Sequence, residues 1–199
     1  DHLGNVVDGD EILFVIASDR RRQNVDFGGV VGTSMSNLGL EQALDFLDIP
    51  FARSAVGDRY VMRQLIERGW GLGGESSGHI ICLDKTTTGD GIVSALQALS
   101  AISRTERSLA ELTSKLNKYP QSMVNVLVAD SADIIGSSLV QNAVADVESK
   151  LGSKGRVLLR PSGTEPVVRV MVEGEDAAEV LKLAQELAEV VEKEIGAPA

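Results

Sequence analysis

Two short stretches of this 199-residue chain gather side chains able to do chemistry. The first is Gly73-Gly74-Glu75-Ser76-Ser77-Gly78-His79-Ile80. Gly74 to Gly78 fits G-x-S-x-G, the pattern of a serine hydrolase's nucleophile elbow. An elbow needs a helix after its serine, and an acid and a histidine further along the chain. Here His79 lies three residues after Ser76, no histidine follows it, and the other one, His2, precedes the serine. The residues that follow, Ile80-Ile81-Cys82-Leu83, read as a strand. The nucleophile reading therefore fails. In the alternative reading residues 75–79 are near-extended, so Glu75, Ser77 and His79 project to one side. The glycines let backbone approach a ligand closely. A carboxylate, a hydroxyl and an imidazole together suit a polyhydroxylated ligand. Taken alone, the loop leaves such a grip and a plain solvated loop equally open.

The second stretch is Arg160-Pro161-Ser162-Gly163-Thr164-Glu165-Pro166. A guanidinium, two hydroxyls and a glycine N–H within five residues make a compact oxyanion cradle, stiffened by its prolines. A tight hairpin turn explains the Pro and Gly but not Arg160, Ser162 and Thr164 together, so phosphate is the favoured ligand. Arg169, in the apolar run that follows, is either an outward-facing charge or a further contributor. No Walker A pattern occurs anywhere in the chain. Gly57-Asp58-Arg59 is a weaker third candidate: Asp58 reads as a helix cap, and Arg59 beside a helix N-terminus suits an anion.

These loops need elements to hold them. Asp8-x-x-Glu11 resembles a capping box and opens a helix to about Arg21. FGGVVGT (27–33) reads as a buried strand, and Ser36 or Asn37 caps a helix through Leu40, Ala43, Leu44 and Leu47. Pro50 closes that helix and Phe51–Val56 is a second strand. Asp58 caps a third helix with Val61, Met62, Leu65 and Ile66 inward. Trp70–Gly74 and residues 80–83 are extended, a helix follows the Thr88–Gly91 cap, and a short one covers about 108–117. The basic run Arg20-Arg21-Arg22 reads as a solvated helix end. Alternation of this kind points to an α/β layered domain over 1–118, with a boundary near Tyr119-Pro120. Residues 122–199 read as a second unit: strand 123–129, helix 137–150, strands 156–160 and 167–172, and helix 176–195. That order points to helices on one face of a small antiparallel or mixed sheet.

Composition narrows the partners. A net charge of −10 argues against nucleic acid, so an anionic ligand must be met by a few local arginines and N–H groups. Two histidines and one cysteine argue against a zinc site of the usual N/S type. No apolar run reaches the roughly 20 residues needed to cross a bilayer, and a cytoplasmic setting is expected, with no membrane partner.

With both loops in view, the sequence resembles the α-D-phosphohexomutase family, nearest its glucosamine-phosphate branch. GGESSGH (73–79) looks like the family's sugar-recognition loop and RPSGTEP (160–166) like its phosphate-binding loop. VVGTSMSNLGLE (30–41), GDRYV (57–61) and TTGDGIVSALQ (87–97) match that branch. The resemblance implies a three-layer α/β/α phosphohexomutase domain followed by a smaller α+β domain of TATA-binding-protein-like type, the third and fourth of four domains. It implies an intramolecular phosphotransferase interconverting glucosamine 6-phosphate and glucosamine 1-phosphate through a phosphoserine and glucosamine 1,6-bisphosphate. The product would feed UDP-N-acetylglucosamine and peptidoglycan synthesis. Glu75, Ser77, His79, Asp58 and Arg59 would meet the sugar, with His79 able to assist proton transfer. Arg160, Ser162, Gly163, Thr164 and Arg169 would hold the phosphate that is not reacting. The family's T-A-S-H-N-P serine loop and D-G-D-G-D-R magnesium loop are not in this chain. The resemblance thus places Mg2+ and the phosphoryl donor on N-terminal domains of the same polypeptide, expects this chain alone to be inactive, and leaves a homodimer open. The rival readings are a non-catalytic sugar-phosphate-binding module and a phosphomannomutase or phosphoglucomutase of the same family.

Overall fold

The computed structural model describes residues 1–128, 137–162 and 165–196. They fall into two compact units, Asp1–Lys118 and Tyr119–Ala199.

In the first unit Asp8 caps helix α1 (Gly9–Arg22) through a full capping box with Glu11. Strand β1 (Val30–Thr33) then leads to α2 (Leu38–Asp45), β2 (Phe51–Ser54), α3 (Asp58–Arg68), β3 (Leu72–Gly74) and β4 (Ile80–Cys82). α4 (Gly91–Thr105) and α5 (Leu109–Thr113) complete it. The sheet order is β2-β1-β3-β4, with β1 parallel to both β2 and β3 and with β3 antiparallel to β4. Alternate strand residues face opposite layers. Val30, Leu72, Ile80 and Cys82 pack with Leu13, Phe14, Leu40 and Leu44 of α1 and α2, whereas Val31 and Ile81 pack with Val61 and Leu65 of α3. Those two cores make the three layers.

Several local expectations change. The third helix is capped by Gly57, without a side-chain bond, and Asp58 is its first residue, accepting from the N–H of Arg59 at 2.6 Å. A carboxylate at the first helical position interacts with the helix dipole instead of replacing a cap. Ile66 is 67% exposed, because the layer against β1 and β3 is filled by Val61 and Leu65. Arg20 is buried, paired with Asp84 at 2.8 Å and set over the Phe27 ring, so only Arg21 and Arg22 form a solvated helix end. Asn37, not Ser36, caps α2. The extended segments are shorter than their apolar runs, since β1 starts at Val30 and β2 stops at Ser54.

The second unit holds β5 (Gln121–Leu127), α6 (Ser138–Leu151), β6 (Gly155–Pro161), β7 (Val167–Gly174) and α7 (Ala177–Ile195). Its sheet is antiparallel in the order β5-β7-β6. Val168, Val170 and Val172 of β7 pack with Val140, Val147 and Leu151 of α6 and with the apolar stripe of α7. Both helices therefore cover one sheet face. Val167, Arg169, Met171 and Glu173 of β7 point to the other, because side chains alternate along a strand.

Candidate functional site

The chain runs from β1 to one side of that strand and returns from β2 to the other side, so the strand order reverses at β1. In open α/β sheets ligands bind outside the carboxyl ends of the strands at such a reversal. Residues 34–37 after β1, 55–57 after β2 and 75–79 after β3 all lie at that edge. The N-termini of α1, α2 and α3 converge there too, joined by bonds from the Gly9, Asn37 and Gly57 N–H groups, so the positive ends of three helix dipoles meet at this edge.

Residues 75–79 are a hairpin loop, not extended chain. The Gly78 N–H donates to the Glu75 carbonyl at 2.9 Å and the Glu75 N–H to the His79 carbonyl at 3.0 Å. Gly78 sits at φ +98°, a conformation that suits glycine. The antiparallel pairing of Gly74 with Ile80 leaves five residues to reverse the chain, so the alternation expected of an extended segment is lost. What the fold brings together is different. The Glu75 carboxylate accepts from the Gly57 N–H at 3.2 Å, joining this loop to the cap of α3, whose first residues are Asp58 and Arg59. A carboxylate there also faces the positive end of that helix. Ser77 and His79 are exposed. Arg59 turns to its neighbour, donating to the Tyr60 hydroxyl at 2.7 Å and lying 4.6 Å from its ring.

The loop rests on α1. The Gly9 N–H donates to the Ser76 carbonyl at 2.9 Å, and a side chain at residue 9 would put its Cβ 2.0 Å from the Glu75 carbonyl oxygen and 2.7 Å from the Gly78 nitrogen. Both obstacles are backbone. Gly9→Ala should therefore displace the loop and cost about 1–3 kcal/mol of stability, as overpacking does, measured by denaturant unfolding. An unchanged unfolding midpoint would show that the loop yields freely. Beside Gly9, Asp10 is 1% exposed and accepts from the Asn37 N–H at 2.8 Å. Burial pushes its carboxyl up to about 6, against the lowering effect of the Asn37 N–H. Sequence reasoning passed over it. Asp8 and Glu11 complete the capping box, so a third acid in that turn was surplus and was the signal available.

In the second unit Arg160 and Arg169 stand directly opposite each other on β6 and β7, and Asn125 of β5 faces Arg169 from the other side. Directly opposed residues share a sheet face, and like charges so placed oppose pairing. The Nε atoms of both arginines are buried without a hydrogen-bond partner. Arg169 reaches the exposed Glu165 through one bond of 3.3 Å. The next row along this face that holds an arginine, beyond Met123, Met171 and Leu158, carries its own acid. There Arg156 is ion-paired to the buried Glu173, which also accepts from Gln121 at 2.9 Å. The Ser162 N–H closes the hairpin by donating to the Val167 carbonyl at 2.8 Å. Gly163 and Thr164 lie outside the described residues. Among the described residues no three His, Cys, Asp or Glu side chains gather to hold a metal ion, and none of the helices is long and apolar enough to cross a membrane.

Residues 8–119 match the model of the phosphoglucomutase/phosphomannomutase α/β/α domain III, and residues 123–190 match that of the C-terminal domain of the same proteins. The chain belongs to the phosphoglucomutase/phosphomannomutase family. Among members of the family, the phosphoglucosamine mutase of Alcanivorax borkumensis is 57% identical over 98% of this chain and 44% of its own length. That of Escherichia coli is 56% identical over 96% of this chain and 43% of its own. The chain thus spans less than half the length of these relatives. An Aspergillus fumigatus N-acetylphosphoglucosamine mutase in complex with GlcNAc-6P and magnesium superposes with a TM-score of 0.80 at 20% identity, covering 94% of this chain and 47% of that one. A putative phosphomannomutase from Thermus thermophilus covers 92% of this chain and 41% of its own, with a TM-score of 0.59 at 17% identity. At these identities the likeness is one of fold.

Proposed function

We propose that this chain is the sugar- and phosphate-holding part of a phosphoglucosamine mutase, which interconverts glucosamine 6-phosphate and glucosamine 1-phosphate in the cytoplasm. The observation that carries the reading is the opposed pair Arg160 and Arg169. A sheet that gives Arg156 a buried carboxylate in its own row leaves these two cations with the exposed Glu165 on the loop as their acid, and a phosphate would supply the missing negative charge. Two forked guanidinium groups suit phosphate oxygens better than point charges do. In this reading Ser162, Gly163 and Thr164 complete the cradle, and Glu75, Ser77 and His79 meet the sugar with Asp58 and Arg59 beside them. A bound sugar bisphosphate must present either end to the reacting groups, so the distal groups hold whichever phosphate is idle. Anchoring that remote phosphate supplies binding energy that orients the reacting one.

The chain's own residues bind and orient. Magnesium and the phosphoryl-carrying serine are assigned to a further part of the polypeptide, a reading that the greater length of the relatives supports. The test is a mutase assay on the full-length protein with glucosamine, mannose and glucose 6-phosphates, run beside residues 1–199 alone. Turnover of the glucosamine phosphate by the full-length protein only is expected. Turnover by the fragment, or by the full-length protein on mannose or glucose phosphates in preference, would overturn the reading.

A further inference from the structure

Asp10 is bonded outside the cap of α1. Its Oδ2 accepts from the Asn37 N–H at 2.8 Å, and Ser36 also bonds to its carboxylate. Its Oδ1 is buried without a partner. Asn37 and Ser36 end the turn that follows β1, and Arg53 grips that turn from the other side by donating to the carbonyls of Thr33 at 3.1 Å and Ser36 at 2.6 Å. One residue before Asp10, the Gly9 N–H holds the Ser76 carbonyl. The first turn of α1 is therefore bonded on one side to residues 33–37 and on the other to residues 75–79. These are the two loops flanking the strand-order reversal.

We propose that Asp10 is a positioning residue for sugar recognition: its carboxylate fixes the 33–37 turn to the helix end that carries Glu75 and Ser77. This rests on the function proposed above. A buried carboxylate with one oxygen unpartnered is a costly way to tie a turn, and a polar residue kept at such a cost marks a place where geometry outweighs stability. The charged groups around it are Asp8 and Glu11 on its own helix, Lys118 bonded to Asp8, Glu75 and His79 on the hairpin loop, and Arg53 behind the turn. Only Lys118 among the basic groups acts on the Asp10 carboxyl, and burial outweighs it.

The sign of the pH effect follows. A carboxyl raised from 3.8 to about 6 favours the folded state below pH 3.8, and that contribution is lost as pH rises through 6. At neutral pH the ionised Asp10 thus works against stability. Asp10→Asn in the full-length protein is expected to raise the melting temperature at pH 7.5 and to raise KM for glucosamine 6-phosphate about tenfold, with kcat changed less. The acid limb of kcat/KM near pH 6 should flatten. Amide exchange should quicken at Glu75 and Gly78 as well as at Asn37, a coupling that a purely local role would not produce. Unchanged KM and unchanged exchange at residues 75 and 78 would overturn the proposal, as would a lower melting temperature with kcat and KM impaired alike. If that variant fails to fold, Ser36→Ala removes one bond to the carboxylate and should shift KM and loop exchange in the same direction. No shift would count equally against it. The exchange arm needs no substrate, so it decides the proposal even if the wild-type protein proves inert toward every hexose phosphate, a result that would overturn the proposed function separately.

Discussion

Replacing Arg160 with methionine in the full-length protein is expected to weaken hexose-phosphate binding by about 1.5–3 kcal/mol, the range of a lost hydrogen bond to a charged group. In affinity that is roughly 10- to 150-fold, readable by titration calorimetry. Methionine keeps the apolar stem packed while removing the guanidinium. The same variant should melt higher than wild type without phosphate, because it relieves two cations held opposite each other on β6 and β7. The rise in melting temperature that added phosphate brings to the wild type should shrink with the affinity. Arg160→Lys should recover only part of the binding, since an ammonium cannot offer the two-pronged geometry. Unchanged affinity in Arg160→Met would refute the cradle, whatever happened to stability.

The largest stability effect is expected four residues along β7 from Arg169. Glu173 is 0% exposed and is ion-paired to Arg156 across the β6–β7 ladder. Removing one partner of a buried pair strands the other charge. Arg156→Met should therefore cost about 3–5 kcal/mol. Arg156→Met with Glu173→Met should restore most of that loss, because replacing both members of such a pair by apolar groups is often neutral. Denaturant unfolding of the single and double variants checks both statements. If the double variant is no more stable than the single, the pair's charge balance is not what holds this row. The comparison also calibrates the Arg160–Arg169 row, which has the same cross-strand layout but lacks the acid.

Much of the architecture could be read from local pattern. The capping box at Asp8 and the apolar stripe of α7 are local devices, and each lies where its residues put it. Errors came where a neighbour in space overruled a neighbour in sequence. Ile66 shares helical spacing with Val61 and Leu65, yet those two fill the contact with Val31 and Ile81 and Ile66 is left outside. Arg20 looks like part of a surface cluster until Asp84, 64 residues on, neutralises it. Residues 75–79 read as near-extended from sequence, but the pairing of β3 with β4 folds them into a turn.

The candidate site divides in the same way. Residue types and spacing alone placed Glu75, Ser77 and His79 in one short polar stretch and Arg160, Ser162, Gly163 and Thr164 in another, because each set lies within a few residues of chain. Only the tertiary structure decided that Arg169 stands directly opposite Arg160, since strand register sets which side chains meet across a ladder. It alone brought the first turn of α1 to both loops, with Asp10 bonded to the turn after β1 and Gly9 to the hairpin after β3. Such a joint depends on three distant segments arriving at one sheet edge. No periodicity within any of the three segments encodes that meeting.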